Sequence, residues 1–323
     1  MTSFDFGYTW VWTHGHLVPL AAFAALFAVA VWRRWSRWLA GGCAALALWA
    51  AAGFVITQHV LGANRPLDLP TASFLRAGTG RVLDLGAGSG RSTLMVLQAR
   101  PAARVTAVDI YRGYFGIDDN TPARLMANAR VAGVDGRLDV KTADIRALPF
   151  ADSSYDAAVS AFVIDHLDRE GVTRSLAEVL RVLRPGGEFL LIVLNVDWWV
   201  KVAYPLPHGH GYFSHSPGAN RWTSAVEGAG FEVVEQGTRP ALLYVLARRR
   251  MPSSVFRNQR RSLVAQAFRR LPNGRWTALK GRRYRQSRNA FIGVTGWRRA
   301  SSERHRDARG RHRAAGPCPL RRA

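Results

Sequence analysis

Hydrophobic and polar positions divide the chain into three kinds of material. Near the N-terminus, Leu17–Trp32 and Leu39–Ile56 are uncharged and almost wholly apolar runs. Extended through Tyr8–Trp32 and Leu39–Leu61, each approaches the roughly 20 residues needed to cross a bilayer as a helix. Trp10, Trp12, Trp32, Trp35 and Trp38 cluster near the ends of these runs, where interfacial aromatics gather. The pattern predicts a transmembrane helical hairpin. The plainer alternative is a pair of buried, alanine-rich helices packed on a soluble domain. No basic segment precedes the first run, which argues against a cleaved signal peptide.

Beyond about Ala77 the pattern changes. Short apolar segments alternate with stretches of helical spacing, the order expected of a mostly parallel sheet covered on both faces. Strands are predicted at Val82–Leu85, Val105–Asp109, Arg137–Ala143, Tyr155–Val163 and Glu188–Asp197. Thr121-Pro122 opens a helix with a capping hydroxyl and a first-turn proline, and Gly133 is placed to end it. Asp168–Leu183 has helical spacing, with Leu176, Val179, Leu180 and Leu183 on one face, and Pro185-Gly186-Gly187 stops it. A further helix is expected near Trp222–Ala229. The third material begins after Arg248. Ser253–Leu271 can be drawn either as a basic amphipathic helix of the membrane-surface kind or as a solvated extension. From about Ser301 the arginine-rich composition predicts disorder.

The most informative chemistry lies in Arg81-Val-Leu-Asp-Leu-Gly-Ala-Gly-Ser-Gly-Arg-Ser-Thr93. It reads as a strand, a glycine-rich turn and a helix start. Gly86, Gly88 and Gly90 let the backbone take unusual dihedrals and let a ligand approach the main chain. Asp84 offers an acceptor for a cationic group. About twenty residues on, Val105-Thr-Ala-Val-Asp109 is a second strand ending in an acid, placed to receive ribose hydroxyls.

With two later segments, Lys141-Thr-Ala-Asp-Ile-Arg-Ala-Leu-Pro-Phe150 and Leu180-Arg-Val-Leu-Arg-Pro-Gly-Gly187, these motifs make residues 77 to 248 resemble the class I S-adenosylmethionine (SAM) dependent methyltransferases. The resemblance implies an α/β fold: a Rossmann-like seven-stranded sheet with helices on both faces, here preceded by the N-terminal transmembrane hairpin. Phe231–Glu235 and Leu242–Ala247 would supply its closing antiparallel pair. SAM is the implied cofactor. Gly86, Gly88 and Gly90 would shape its cradle, Asp84 would orient the amino group, and Asp109 would accept from the ribose. Asp144 would accept from the adenine amino group, with Ile145 against the ring. The end of the fourth strand faces the acceptor in this family, so Asp165 or His166 is a candidate general base. The plainer reading gives His166 a backbone hydrogen bond and Asp165 the start of the next helix. Tyr111, Tyr114 and Phe115 are candidates to cover the cofactor.

The net charge of +23 suggests nucleic acid, but its distribution points elsewhere. Residues 1–247 hold 22 Lys and Arg against 20 Asp and Glu, and residues 248–323 hold 23 against 2. The core is therefore nearly neutral. No NPPY or DPPY stands after the fourth strand, which further disfavours a nucleic-acid partner. Cys43 and Cys318 suggest neither a disulfide framework nor a metal site. His208, His210 and His215 lack a carboxylate or cysteine at ligand spacing, so no metal is expected, and a substrate lid is the better role for their loop.

The expected organisation is an N-terminal membrane anchor at 1–64, a methyltransferase domain at 65–250 and a basic extension at 251–323. The expected partners are a small-molecule or lipid-like methyl acceptor and a membrane. Three arginines in the hairpin loop (Arg33, Arg34, Arg37) oppose three after it (Arg65, Arg76, Arg81), so charge leaves orientation open. Dependence on SAM places the catalytic domain on the cytoplasmic side of the cell membrane. Two alternatives stay open: a nucleic-acid or protein methyltransferase using the basic tail, and a non-catalytic, membrane-tethered SAM-binding protein.

Overall fold

The computed structural model describes residues 3–62, 64–112, 120–205 and 219–251, together with short strands at 268–270 and 276–278. The chain divides into two compact units, 1–252 and 253–323.

The first unit begins with α1 (Trp10–His14), α2 (Leu17–Trp32) and α3 (Arg37–Val55), the last prolonged by a π-helical turn at Ile56–Val60. Ser36 caps α3 by accepting from the Leu39 N–H, so α2 and α3 form a hairpin across a four-residue link. Arg37–Val60, at 24 residues, is long and apolar enough to cross a membrane, whereas α2 has 16 residues and falls short of that length. The sequence leads one to expect two full spans; among the described residues one helix meets the requirement. Only Ala30 of α2 is buried, and Leu26, Phe27, Val31, Leu46 and Leu48 project outward.

The base of this hairpin is fixed to the rest of the unit. Phe6 is buried in the apolar cluster beneath the sheet. The sheet contains β1 (Thr79–Leu85), β2 (Ala102–Asp109), β3 (Leu138–Thr142), β4 (Tyr155–Ala161), β5 (Leu183–Leu194), β6 (Phe231–Arg239) and β7 (Leu242–Arg249). Its order is β3-β2-β1-β4-β5-β7-β6. The first five strands run parallel, while β7 is antiparallel to β5 and β6 to β7. Pro240 and Ala241 alone separate β6 from β7, and Ala241 takes φ +62, as a tight turn requires. Connections between parallel neighbours need longer crossovers, which the helices supply. Between such neighbours these are α4 (Arg91–Ala99), α5 (Pro122–Val131) and α6 (Arg169–Val182), while α7 (Trp198–Ala203) and α8 (Ala219–Gly228) lie on the passage from β5 to β6.

Alternation along β1 sorts its side chains between two cores. Leu83 and Leu85 join Leu176 and Val179 of α6 and Val226 of α8 on one face. Val82 joins Leu94 and Leu97 of α4 on the other. Caps follow the sequence signals: Thr121 accepts from Arg124 N–H, and Asp168 from Gly171 N–H. One boundary moves. β5 starts at Leu183, ahead of the expected Glu188, because the ladder breaks between Tyr155↔Leu183 and Ala157↔Glu188. That irregularity absorbs Pro185-Gly186-Gly187 within the strand.

In the second unit, β8 (Phe268–Arg270) pairs antiparallel with β9 (Trp276–Ala278). This corrects the C-terminal end of the helix drawn over Ser253–Leu271. The intervening sequence contains Pro272-Asn273-Gly274, a turn-forming run that favours a hairpin over a continuing helix. The rest of that segment, and the stretch beyond Ser301, lie outside the described residues.

Arg91 ties the start of α4 to the N-terminal segment. Its guanidinium donates to the carbonyls of Leu61, Gly62 and Arg65 and to the Tyr8 hydroxyl, at 2.9–3.1 Å. Arg91→Met keeps the stem and removes these bonds. We expect a stability loss of roughly 2 kcal/mol, with faster amide hydrogen exchange around Tyr8 and Leu61 than in the sheet.

Candidate cofactor and acceptor site

The winding of the sheet reverses between β1 and β4, and in open α/β sheets ligands bind outside the carboxyl ends of the strands at such a point. Gly86, Gly88 and Gly90 lie there, at φ +73, +52 and +101. Gly86 and Ala87 N–H both donate to Val108 O, which carries the turn past the end of β2. A Cβ on Gly86 would fall inside the Val163 side chain, so this position has no room for any other residue.

Asp109, at the end of β2, braces the turn. Its carboxylate accepts from Gly88 N–H at 2.9 Å and from Tyr111 N–H at 2.7 Å. Burial raises its pKa, and the backbone donors of Tyr111, Gly88 and Ile110 oppose the rise. Each oxygen keeps acceptor capacity for a further donor.

Asp84 is placed differently from its expected role. It is fully buried, and both of its oxygens accept from Ser92, with Oδ2 also accepting from Thr93. Its carboxyl is therefore held under the first turn of α4. Burial raises its pKa to about 6; the two hydroxyls pull it down, and the charge of Asp109 adds to the rise. Ser92 and Thr93 were not singled out in the sequence. Two adjacent hydroxyls in the first helical turn after a strand-end acid were the available signal.

Three buried polar atoms surround the glycine turn without a hydrogen-bond partner among the described residues: Ser89 Oγ, the Tyr111 hydroxyl and Asn120 Oδ1. Tyr111 takes φ +51, and burial together with the charges of Asp109 and Asp84 raises its pKa. A side-chain-free cradle ringed by unpaired donors and acceptors suits a polar ligand. Sequence reasoning named Tyr111 and missed Ser89 and Asn120, which have no distinguishing spacing. Tyr114 and Phe115 lie outside the described residues, as do His208, His210 and His215.

The register Asp109↔Thr142 sets Asp144 just beyond the end of β3, on the same rim. Its carboxylate pairs with the Arg146 guanidinium at 2.6 Å, and that hydrogen bond lowers its pKa. Ile145 is buried in the core cluster below. After β4, Phe162 adopts φ +57, and a 3₁₀ turn carries Asp165 and His166. Asp165 is buried and accepts from Leu194 N–H, tying this turn to the end of β5. His166 N–H donates to Val163 O, and α6 starts later, at Arg169. The structure thus gathers Gly86, Gly88, Gly90, Asp109, Asp144, Asp165 and His166 along one rim, with Asp84 sealed beneath it.

Residues 82–187 match a family model described as a methyltransferase domain. The centre of the sheet is therefore similar to a methyltransferase domain. A ubiquinone/menaquinone biosynthesis C-methyltransferase of Methylobacterium nodulans is 38% identical over 113 residues, covering 35% of this chain and 41% of that protein. A malonyl-[acyl-carrier protein] O-methyltransferase of Methylococcus capsulatus is 33% identical over 132 residues, 41% of each chain. The chain therefore spans about two fifths of the length of these curated relatives. A SAM-dependent methyltransferase structure from Methanosarcina mazei aligns with TM-score 0.46 and 20% identity, over 58% of this chain and all of that one.

Two outcomes test the packing of this site. Asp84 has a raised pKa, so the folded state binds a proton more readily than the unfolded chain between pH 4 and 6. Stability contributed by the neutral form is present below that window and is lost as pH rises through it. Asp84→Asn should therefore stabilise the fold relative to wild type above pH 6, by on the order of 2 kcal/mol and read as a higher melting temperature, and show no gain below pH 4. Gly86→Ala should cost roughly 2–4 kcal/mol from left-handed strain and the clash with Val163, and Val163→Ala in the same chain should recover part of it in thermal melts.

Proposed function

We propose that the protein uses SAM to methylate a small or lipid-like acceptor at the membrane surface, with its catalytic domain on the cytoplasmic side. The carrying observation is the junction between the apolar hairpin and α7, the helix that follows β5 on the acceptor side. Trp49 Nε1 donates to Val202 O at 2.8 Å, and His16 Nε2 lies 2.6 Å from Ala203 O. The Tyr204 hydroxyl donates to Trp12 O. A helix that is apolar all round, as α2 is, needs an apolar surrounding on every side. Its outward side chains here call for lipid.

The cradle fits the cofactor: Asp109 has acceptor capacity for ribose hydroxyls, and the glycine turn admits a ligand to the main chain. SAM, when bound, supplies a methyl group on a cationic sulfur that is primed to leave. The chain's own work is to hold the acceptor in line, close to that methyl group, and to exclude water. Asp144 and Ile145 would bound the adenine end, and His166 or Asp165 would take a proton from an acceptor that must lose one. Trp198, tilted against Trp199 and exposed at α7, offers an apolar lip to the acceptor. The matched relatives act in quinone biosynthesis and on a malonyl carrier protein by their names, and an apolar acceptor of quinone-like character is our reading for this chain.

The test uses inverted and right-side-out membranes from cells with and without the protein, given methyl-labelled SAM. Protein-dependent label in the lipid extract from inverted vesicles alone is expected, and Asp109→Asn should reduce it at least roughly 10-fold. Label in nucleic acid or protein would overturn the acceptor class. Cofactor binding with no transfer to any membrane fraction would favour a SAM-binding sensor.

A further inference from the structure

We propose that the hairpin tip, Trp32-Arg-Arg-Trp-Ser-Arg-Trp38, binds the phosphate headgroups of anionic phospholipids. The inference rests on the membrane reading above and adds a ligand and a place to it.

The charge at the tip has no counterpart in its own neighbourhood. Between Asp5 and Asp68 the sequence contains no acidic residue. Arg33, Arg34 and Arg37 are exposed, and none forms an ion pair among the described residues. The flanking tryptophans are exposed as well, Trp32 by 78%, Trp35 by 46% and Trp38 by 80%. Arg33 lies over the Trp32 ring at 5.9 Å and Arg37 over the Trp38 ring at 5.5 Å. Amphipathic rings beside guanidinium forks suit the headgroup layer, where a phosphate can take two parallel hydrogen bonds from one arginine.

The tip stands clear of the bonds that fix the hairpin base to α7, and its arginine stems can extend outward from the apolar runs to headgroup phosphates. Uncharged runs on both sides exclude any intermediate depth for a polar partner. A soluble acidic protein or a nucleic acid would leave the adjoining apolar helices facing water, so phospholipid is the occupant that satisfies ring, charge and flank together.

The full-length chain is reconstituted in vesicles of phosphatidylcholine alone or an equimolar mixture with phosphatidylglycerol, and the lipids kept on the extracted protein are read by native mass spectrometry. Wild type should retain phosphatidylglycerol above its bulk share. The R33Q/R34Q/R37Q variant should retain it only at that share while resisting carbonate extraction as wild type does. A variant that keeps the enrichment, or a wild type that lacks it, overturns the proposal and leaves the anchor standing. Arginine-dependent retention of RNA in place of lipid overturns it in favour of a nucleic acid. Extraction of wild type by carbonate overturns the membrane reading itself.

Discussion

One buried carboxylate sets the conditions for the rest of the site. Asp84 sits at the floor of the sheet with no exposure to water, and an ion in that position persists only if its oxygens are occupied. Ser92 and Thr93 occupy them, so the chain must turn back over the end of β1 within a few residues and start a helix there. Only a glycine-lined turn makes that reversal beside Val163. The bare main chain around Gly88 follows from the same reversal, and Asp109 then braces it from the next strand. The features that suit a ligand are in this sense the consequence of housing a charge under α4.

A second set of bonds runs from this turn to the apolar N-terminal hairpin. Arg91 begins α4 directly after Gly90, and its guanidinium holds the carbonyls where the hairpin ends. Asn128 of α5 joins Ser89 O to the backbone of Asp5. At the other side of the site, α7 gives its last carbonyls to Trp49 and His16. The hairpin base is thus fastened both beside the glycine turn and to the helix that follows β5. A tether joined by a loose linker would have neither bond.

Much of this was legible in the sequence, for definite reasons. The parallel strands read clearly because buried strands are continuous apolar runs, and the caps at Thr121 and Asp168 read clearly because their chemistry is local. Other features escaped because they depend on partners far along the chain. Nothing near Pro185-Gly186-Gly187 shows that a ladder irregularity will draw it into β5. Nothing near Asp84 shows that its oxygens will go to Ser92 and Thr93 before a ligand can reach them. Apolar composition identified the N-terminal runs, but composition does not say that the 16 residues of α2 fall short of a span. The bonds from His16 and Trp49 to α7 join residues 187 and 153 positions apart, a distance no periodicity spans.

That separation also has a meaning in time. Chains are made from the N-terminus at roughly 5–20 residues per second, so Trp49 leaves the ribosome about 8–30 s before Val202 is synthesised. During that interval the hairpin exists without the helix that will receive its base. Its apolar helices lack that partner throughout, while its indole and imidazole wait for carbonyls still to be made. The sheet and its site are then assembled onto a hairpin already made.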